Sequence, residues 1–253
     1  EPTARRYPAS TRQQVTDMDF DFTEDQEQLR DAVRKWVDKA YTFERRRTIA
    51  KDGGFSADAY QELADLGLCG LYVPEDLGGL GMGPVEGMVV MEELGRGIVL
   101  EPLAQALIAG AVLGHYAPKP LATEWAGAVA SGESLVSLAY QERAARYRLD
   151  NCTTQASGKD GAWTLSGAKS LVVAGDWADA YLVSAMRDGT LAMFLVERNA
   201  PGVKLHAYGV LDGGRAAELM LDAAPAQLVS RDGLAVLAHA VDIGIAATCA
   251  QAV

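Results

Sequence analysis

Apolar residues recur with two different periods along this chain, helical at the start and at the end and alternating in between. Residues 22–41, FTEDQEQLRDAVRKWVDKAY, open with Thr23 and Gln26 at capping-box spacing and set Leu29, Val33, Trp36, Val37 and Ala40 on one helical stripe. A second helix is predicted from Ser56, with Phe55 and Tyr60 at staple positions and Tyr60, Leu63, Ala64 and Leu66 inside, before Gly67 closes it. Glycines and a proline break up residues 67–83, GLCGLYVPEDLGGLGMG, into a long shaped loop. Pro84 then opens a helix with Val85, Met88, Val89 and Leu94 on one face and Gly95 at its close. Residues 101–118 read as a nearly all-apolar buried helix, and a shorter helix is expected over 124–130.

After Ser131 the period shortens to two. SLVSLAY, NCTTQAS, AWTLSG, KSLVVAG, AYLVSAM, LAMFLVE and VKLHAYGV are short strand-like runs, punctuated by the turns KDG and DGT. Without long helices between them, they predict a small, mostly antiparallel barrel or sandwich. From Asp232 the pattern returns to helix and stops inside an apolar run, so a fragment of a longer protein, or a chain completed by another chain, is expected. The expected organisation is a flexible arm over 1–17, with Met18 as a natural start, then a helical domain over 18–133, a β-barrel domain over 134–229 and the start of a further helical domain over 230–253. The fold class is α+β.

Composition changes this picture little. The chain has 253 residues, 49% hydrophobic and 23% charged, which suits an ordinary globular protein. Its 34 acidic and 23 basic residues give a formal charge of −11, which opposes a general nucleic-acid or anionic-membrane surface. Cys69, Cys152 and Cys249 form no CxxC pair and are expected to be buried, inert thiols in a reducing, cytoplasmic setting. His115, His206 and His239 lack metal-ligand spacing, and no metal is expected. No apolar run is read as long enough to cross a bilayer, so membrane insertion is not expected.

Candidate chemistry is sparse. Gly79, Gly81 and Gly83 do not fit G-x-G-x-x-G and follow no strand, so a shaped turn is the better reading than a dinucleotide site; neither a Walker loop nor a G-x-S-x-G elbow occurs. Arg45, Arg46 and Arg47 read as a solvated face. Arg143, Arg146 and Arg148 stand at the helix-to-strand transition, where an arginine could face a phosphate-bearing ligand. Glu142 and Asp176 are the carboxylates to inspect as a base, with structural roles the default; Met88, Met91 and Trp125 read as core.

Helices, then a small barrel, then a helix is also the order of the acyl-CoA dehydrogenases, and the wording resembles that family along most of the chain. The phrases are FTEDQEQLRDAVRKWV, ELADLGLCGLYVPEDLGGLGMGPVEGMVVMEELGRG, and SGAKSLVVAGDWADAYLVSA followed by FLVERNAPGV. More narrowly, PVEGMVVMEELGRGIVLEP with AYQERAARYRLDN and DGGRAAELMLDA resembles the small subunits of the pimeloyl-CoA dehydrogenase type, which pair with a larger homologue.

The resemblance implies an FAD enzyme of fatty acid metabolism that removes hydrogens from the α and β carbons of an acyl-CoA thioester and passes electrons to an electron-transfer flavoprotein or similar acceptor. It implies flavin contacts at Tyr140, Gln141, Leu171, Val172 and Val173, and substrate contacts at Arg146 and Tyr147. The chain departs from the family where Thr-Glu-Pro is Gln141, Glu142 and Arg143, followed by Tyr147 and Arg148 in place of a Gly-Ser-Asp run. It departs again where Trp-Ile-Thr is Leu171, Val172 and Val173, which removes an indole and a hydroxyl. The family's catalytic glutamate lies in a last helical domain or, in a minority, early in the helix after the barrel, where this chain has Leu234; no base is assigned within it. A degenerate structural partner of a larger subunit, or a related oxidase, are the competing expectations.

Overall fold

The computed structural model describes residues 21–159 and 161–253. The arm expected over 1–17 and the Met18 start lie outside them, as does Asp160 of the KDG turn.

Helix α1 (Glu24–Ala40) starts with a reciprocal cap: Gln26 N donates to Thr23 Oγ1 at 3.3 Å, and Thr23 N donates to Gln26 Oε1 at 3.0 Å. Val33, Trp36 and Val37 form its buried face. Thr23→Ala should cost about 1 kcal/mol of stability in urea unfolding, the usual worth of such a cap. Helix α2 (Phe43–Lys51) was not anticipated, because its polar run buries only Ile49 and shows no apolar stripe. It also corrects the reading of the arginine run. Arg45 pairs bidentately with Glu62 at 2.9 Å, and Arg46 donates to Ile98 O and Asp212 O, each at 3.0 Å; only Arg47 is a solvated cation.

Helix α3 (Ala57–Asp65) is capped by Ser56, and Phe55 packs on Tyr60 as the staple spacing predicts. Two short 3-10 turns shape the glycine-rich loop before helix α4 (Pro84–Arg96). Val89, Met91 and Leu94 of α4 are buried as expected, but Val85 and Met88 are about 40% exposed, because the helix turns Val90 inward in their place. Helix α5 (Leu103–Tyr116) is the buried central helix, and α6 (Lys119–Ala130) begins a turn earlier than its sequence suggests, with Pro118 as its cap.

The barrel consists of β1 (Val136–Ala139), β2 (Gln155–Lys159), β3 (Ala162–Val173), β4 (Ala180–Arg187), β5 (Thr190–Glu197), β6 (Val203–Gly209) and β7 (Arg215–Ser230). Neighbours run β4–β2–β3–β7–β5, and β5 pairs back to β4, so the sheet closes; β6 attaches to β7 and β1 to β4. Most pairs are antiparallel as expected, but β1 runs parallel to β4 and β2 meets β4 in parallel at Gln155 and Met186. Two runs read separately, AWTLSG and KSLVVAG, form one strand, β3, whose register against β7 shifts between Leu165 and Gly167 and again between Lys169 and Val172. The 16-residue β7 escaped the sequence reading, since its alanines and Pro225 disfavour strand; pairing with β3, β5 and β6 overrides that preference.

Helix α7 (Gly233–Gln251) follows the barrel and returns to the helical layer, laying Val236, Leu237, Ala240, Ala247 and Ala250 against α4, α5 and the barrel. At 19 residues it is long and apolar enough by composition to cross a bilayer, contrary to the sequence reading; here its inner face is packed and Leu234 and Ile245 stand exposed on the other. The two domains also meet at a tight backbone crossing. Gly54, with φ +77°, lies so close to the turn before β7 that an added Cβ would sit 2.4 Å from Gly213 O. Arg46 bridges the same junction.

Candidate functional site

Between the helical layer and the barrel lies a cavity of about 590 Å³. The connection between α4 and α5, residues 98–102, forms its helical wall, and Leu171, Val173 and Trp177 form its barrel wall. Leu171 reaches it because the register shift in β3 leaves it at φ +52°, so that Leu171 and Val173 both stand out of the barrel while Val172 between them is buried. Phe55 stacks on Trp177 across the domain junction, centroids 5.0 Å apart and planes 29° from parallel. Two rings in such offset contact make a stiff apolar rim.

The polar side chains on its lining are Glu101, Gln105, Asp212, Arg215, Thr248 and Gln251. Arg215 on its wall pairs with Asp176, whose other oxygen, Oδ1, is buried without a partner. Glu101 lines the helical side at 4% exposure. Its Oε1 accepts from Ser56 N at 3.2 Å, and Oε2 has no hydrogen-bond partner. Burial pushes the Glu101 carboxyl above the usual carboxylate range, against the pull of the Tyr41 hydroxyl and of Arg45.

The sequence candidates divide among three places. Leu171 and Val173 line the cavity, while the Val172 side chain belongs to the barrel core and leaves its backbone as what it can offer. Tyr140 and Gln141 are half-buried and do not line the cavity. Gln141 Nε2 donates to the Tyr140 hydroxyl at 3.1 Å, and Gln141 O accepts from Ser170 N at 2.9 Å, which ties this segment to β3 one residue before Leu171. Arg146 and Tyr147 sit on an exposed loop, Tyr147 at 99%, and neither lines the cavity. Arg148 pairs with Asp150 and Arg143 with Glu218.

Glu142 is not placed as a base. It lies inside the barrel wall, where Oε1 accepts from Lys169 Nζ at 2.7 Å and from Thr154 Oγ1 at 2.7 Å, and Oε2 accepts from Thr153 N at 2.7 Å. Burial alone would raise its carboxyl, but the bonds from Lys169 and Thr153 outweigh that and hold it well below the usual range. So low a proton affinity suits an anchor and opposes proton abstraction. Cys152 is half-buried, 3.3 Å from Glu142 Oε1 and 3.5 Å from Lys169 Nζ, and Cys249 is exposed, so of the three thiols only Cys69 is fully buried as expected. Trp177, Arg215 and Glu101 were missed. Glu101 had a signal, as a lone acid between the apolar run IVL and a proline that opens a helix.

Two family descriptions match this chain, the N-terminal domain of acyl-CoA dehydrogenases over residues 23–133 and the middle domain over 137–223. The chain belongs to the acyl-CoA dehydrogenase family. Acyl-CoA dehydrogenase FadE27 of Mycobacterium tuberculosis is 30% identical over 218 residues, covering 85% of this chain and 57% of its own length. Benzylmalonyl-CoA dehydrogenase of Aromatoleum aromaticum is 26% identical over 202 residues, 76% of this chain and 53% of its own. This chain therefore spans little more than half the length of these acyl-CoA dehydrogenase relatives. Among solved structures, the ChsE4-ChsE5 complex from Mycobacterium tuberculosis superposes with a TM-score of 0.81 at 29% identity, over 92% of this chain and 64% of that one. The Tcur3481-Tcur3483 steroid ACAD variant gives 0.82 at 26% identity, over 90% and 62%.

Proposed function

We propose that this chain supplies two walls of the active cleft of an FAD-dependent acyl-CoA dehydrogenase, which removes hydrogens from the α and β carbons of an acyl-CoA thioester. The observation that carries the reading is the cavity at the domain junction, a ring-walled space of mainly apolar residues edged by polar ones, in a chain of this family. The residues fit a flavin. Leu171 and Val173 offer a flat aliphatic face, Phe55 and Trp177 a stiff rim, and Arg215 a cation on the wall. FAD, when bound, accepts the hydride from the β carbon. The protein's own part is to hold the acyl group in an apolar space and to exclude water from it. The α proton needs a base that is not assigned among these residues.

A second cavity, about 530 Å³, opens where β4 and β5 meet the start of α7 and contains Arg187 and Arg231. Asp150 is paired with Arg148, Asp232 caps α7, and Arg187 is held by Asp188 at 3.6 Å and over the Trp163 ring, so Arg231 is the arginine left to meet a phosphate group of coenzyme A. Arg231→Ala should weaken acyl-CoA binding several-fold and flatten its salt dependence, measured by titration at two ionic strengths.

One observation favours a second reading, a partner subunit that leaves the chemistry to a larger homologue: the cleft's barrel face is aliphatic, without a hydroxyl or indole at 171–173. Two structural relatives carry paired names, ChsE4-ChsE5 and Tcur3481-Tcur3483. Electrons would pass to an electron-transfer flavoprotein or a similar acceptor. The test is to purify the full-length protein alone and with any co-purifying homologue, and to add an acyl-CoA. Bleaching of bound flavin supports the dehydrogenase; turnover only with the partner supports the second reading; an assembly that binds neither flavin nor acyl-CoA overturns both.

A further inference from the structure

Helix α4 ends in an ordinary Schellman arrangement that holds an unusual residue. Val99 N donates to Leu94 O at 3.0 Å and Ile98 N to Gly95 O at 2.9 Å, the paired closing bonds of that motif, and Ile98 takes its left-handed position at φ +49°. Glycine is the usual residue there, because a β-branched side chain in this conformation crowds the following carbonyl. The chain's own glycine stands one position earlier for a different reason: a Cβ at Gly97 would lie 2.6 Å from Val37 Cγ1 of α1. Ile98 is therefore strained at a position whose backbone geometry favours glycine.

The fold gains little from that side chain. It is 58% exposed, and the bonds that hold the loop are made by its backbone, including the Ile98 carbonyl that accepts from Arg46 Nε. Ile98 does, however, line the junction cavity. Among the described residues six non-glycine positions have a left-handed φ, and three of them, Ile98, Leu171 and Ala174, stand on the walls of this one cavity. Strain that packing does not require concentrates where a ligand is held.

We propose that Ile98 is a binding residue for the acyl group: its side chain covers the acyl chain from the helical wall, and isoleucine is retained there at a loss of stability that glycine would restore. The proposal rests on the cavity's holding the acyl group, as argued above. Stability and affinity then respond to its removal with opposite signs, which a residue that merely shapes the loop would not give.

The test titrates octanoyl-CoA and free coenzyme A against the full-length protein, with any co-purifying homologue, as wild type, Ile98→Gly and Ile98→Leu, and melts each without ligand. Ile98→Gly should melt about 2 °C higher, since relief of the left-handed side chain exceeds the added freedom of glycine in the unfolded chain. It should bind octanoyl-CoA about fivefold less tightly, the effect of losing part of one buried aliphatic side chain, and free coenzyme A as the wild type does. Ile98→Leu, which keeps the apolar bulk, should bind octanoyl-CoA within about twofold of the wild type. Unchanged octanoyl-CoA affinity in Ile98→Gly overturns the proposal and leaves the general reading intact. An equal loss of octanoyl-CoA and coenzyme A, or a lower melting temperature, also overturns it, by making Ile98 part of the loop's own structure. Octanoyl-CoA binding no tighter than coenzyme A in the wild type overturns the reading of the cavity, and this proposal with it.

Discussion

Lys169→Met is expected to destabilise the protein by about 3–5 kcal/mol, the range for removing one partner of a buried ion pair. Lys169 is fully buried in β3, and its ammonium group meets Glu142 Oε1 at 2.7 Å and Ser184 Oγ at 3.1 Å. Without it, the buried Glu142 carboxylate keeps its threonine donors but loses its cationic partner. Urea unfolding of the variant should show a lower midpoint with an unchanged slope. The double variant, Lys169→Met with Glu142→Gln, should recover part of the loss, because no charge is then left uncompensated.

The same pair fixes a pH dependence. The folded Glu142 carboxyl lies below its unfolded value, so on acidification the unfolded chain binds this proton first. Its stabilising contribution is therefore complete above about pH 5 and declines as pH falls through the unfolded carboxylate range near 4.3 toward the lower folded value. Stability that was flat from pH 7 to pH 3 would contradict this assignment.

Gly233→Val should be the second most damaging change, at about 2–3 kcal/mol by overpacking. Gly233 begins α7 directly over β5, where an added Cβ would lie 2.5 Å from Ala192 Cα and 2.6 Å from its N and C atoms. Those are backbone atoms of a paired strand and cannot step aside. The helix must tilt instead, which lifts Val236 and Leu237 from their seats. Hydrogen exchange should report faster opening of α7 than of the barrel strands, whereas uniform loss of protection would mean that α7 is not a separable element.

The helical layer was legible because its signals are local. Thr23, Ser56 and Pro84 each mark a helix start where the structure has one, and the apolar stripe of α1 and the continuous apolarity of α5 survive as buried faces. What escaped depends on partners distant in sequence. Helix α2 is held by Arg45 to Glu62 and Arg46 to Asp212, contacts with no periodic trace. Strand β7 is a strand because three others pair with it. The site was legible only in part for the same reason. Leu171 and Val173 could be placed by resemblance, but Trp177 gains its role from Phe55, 122 positions earlier by numbering (177 − 55), and Arg215 from Asp176. Arg146 and Tyr147 sit on an exposed loop away from the cavity, because composition at a domain boundary does not say which way a loop faces.

The claim on which the function rests is that the junction cavity is where an acyl-CoA is held. Hydrogen–deuterium exchange of the protein with and without a saturating acyl-CoA tests it most directly. The account predicts protection at residues 98–105 and 171–177, and at 231–234 where the coenzyme A phosphates are placed, with the outer barrel face around Gly161–Thr164 unchanged. Binding that protects the outer face and leaves both junction segments untouched would contradict it.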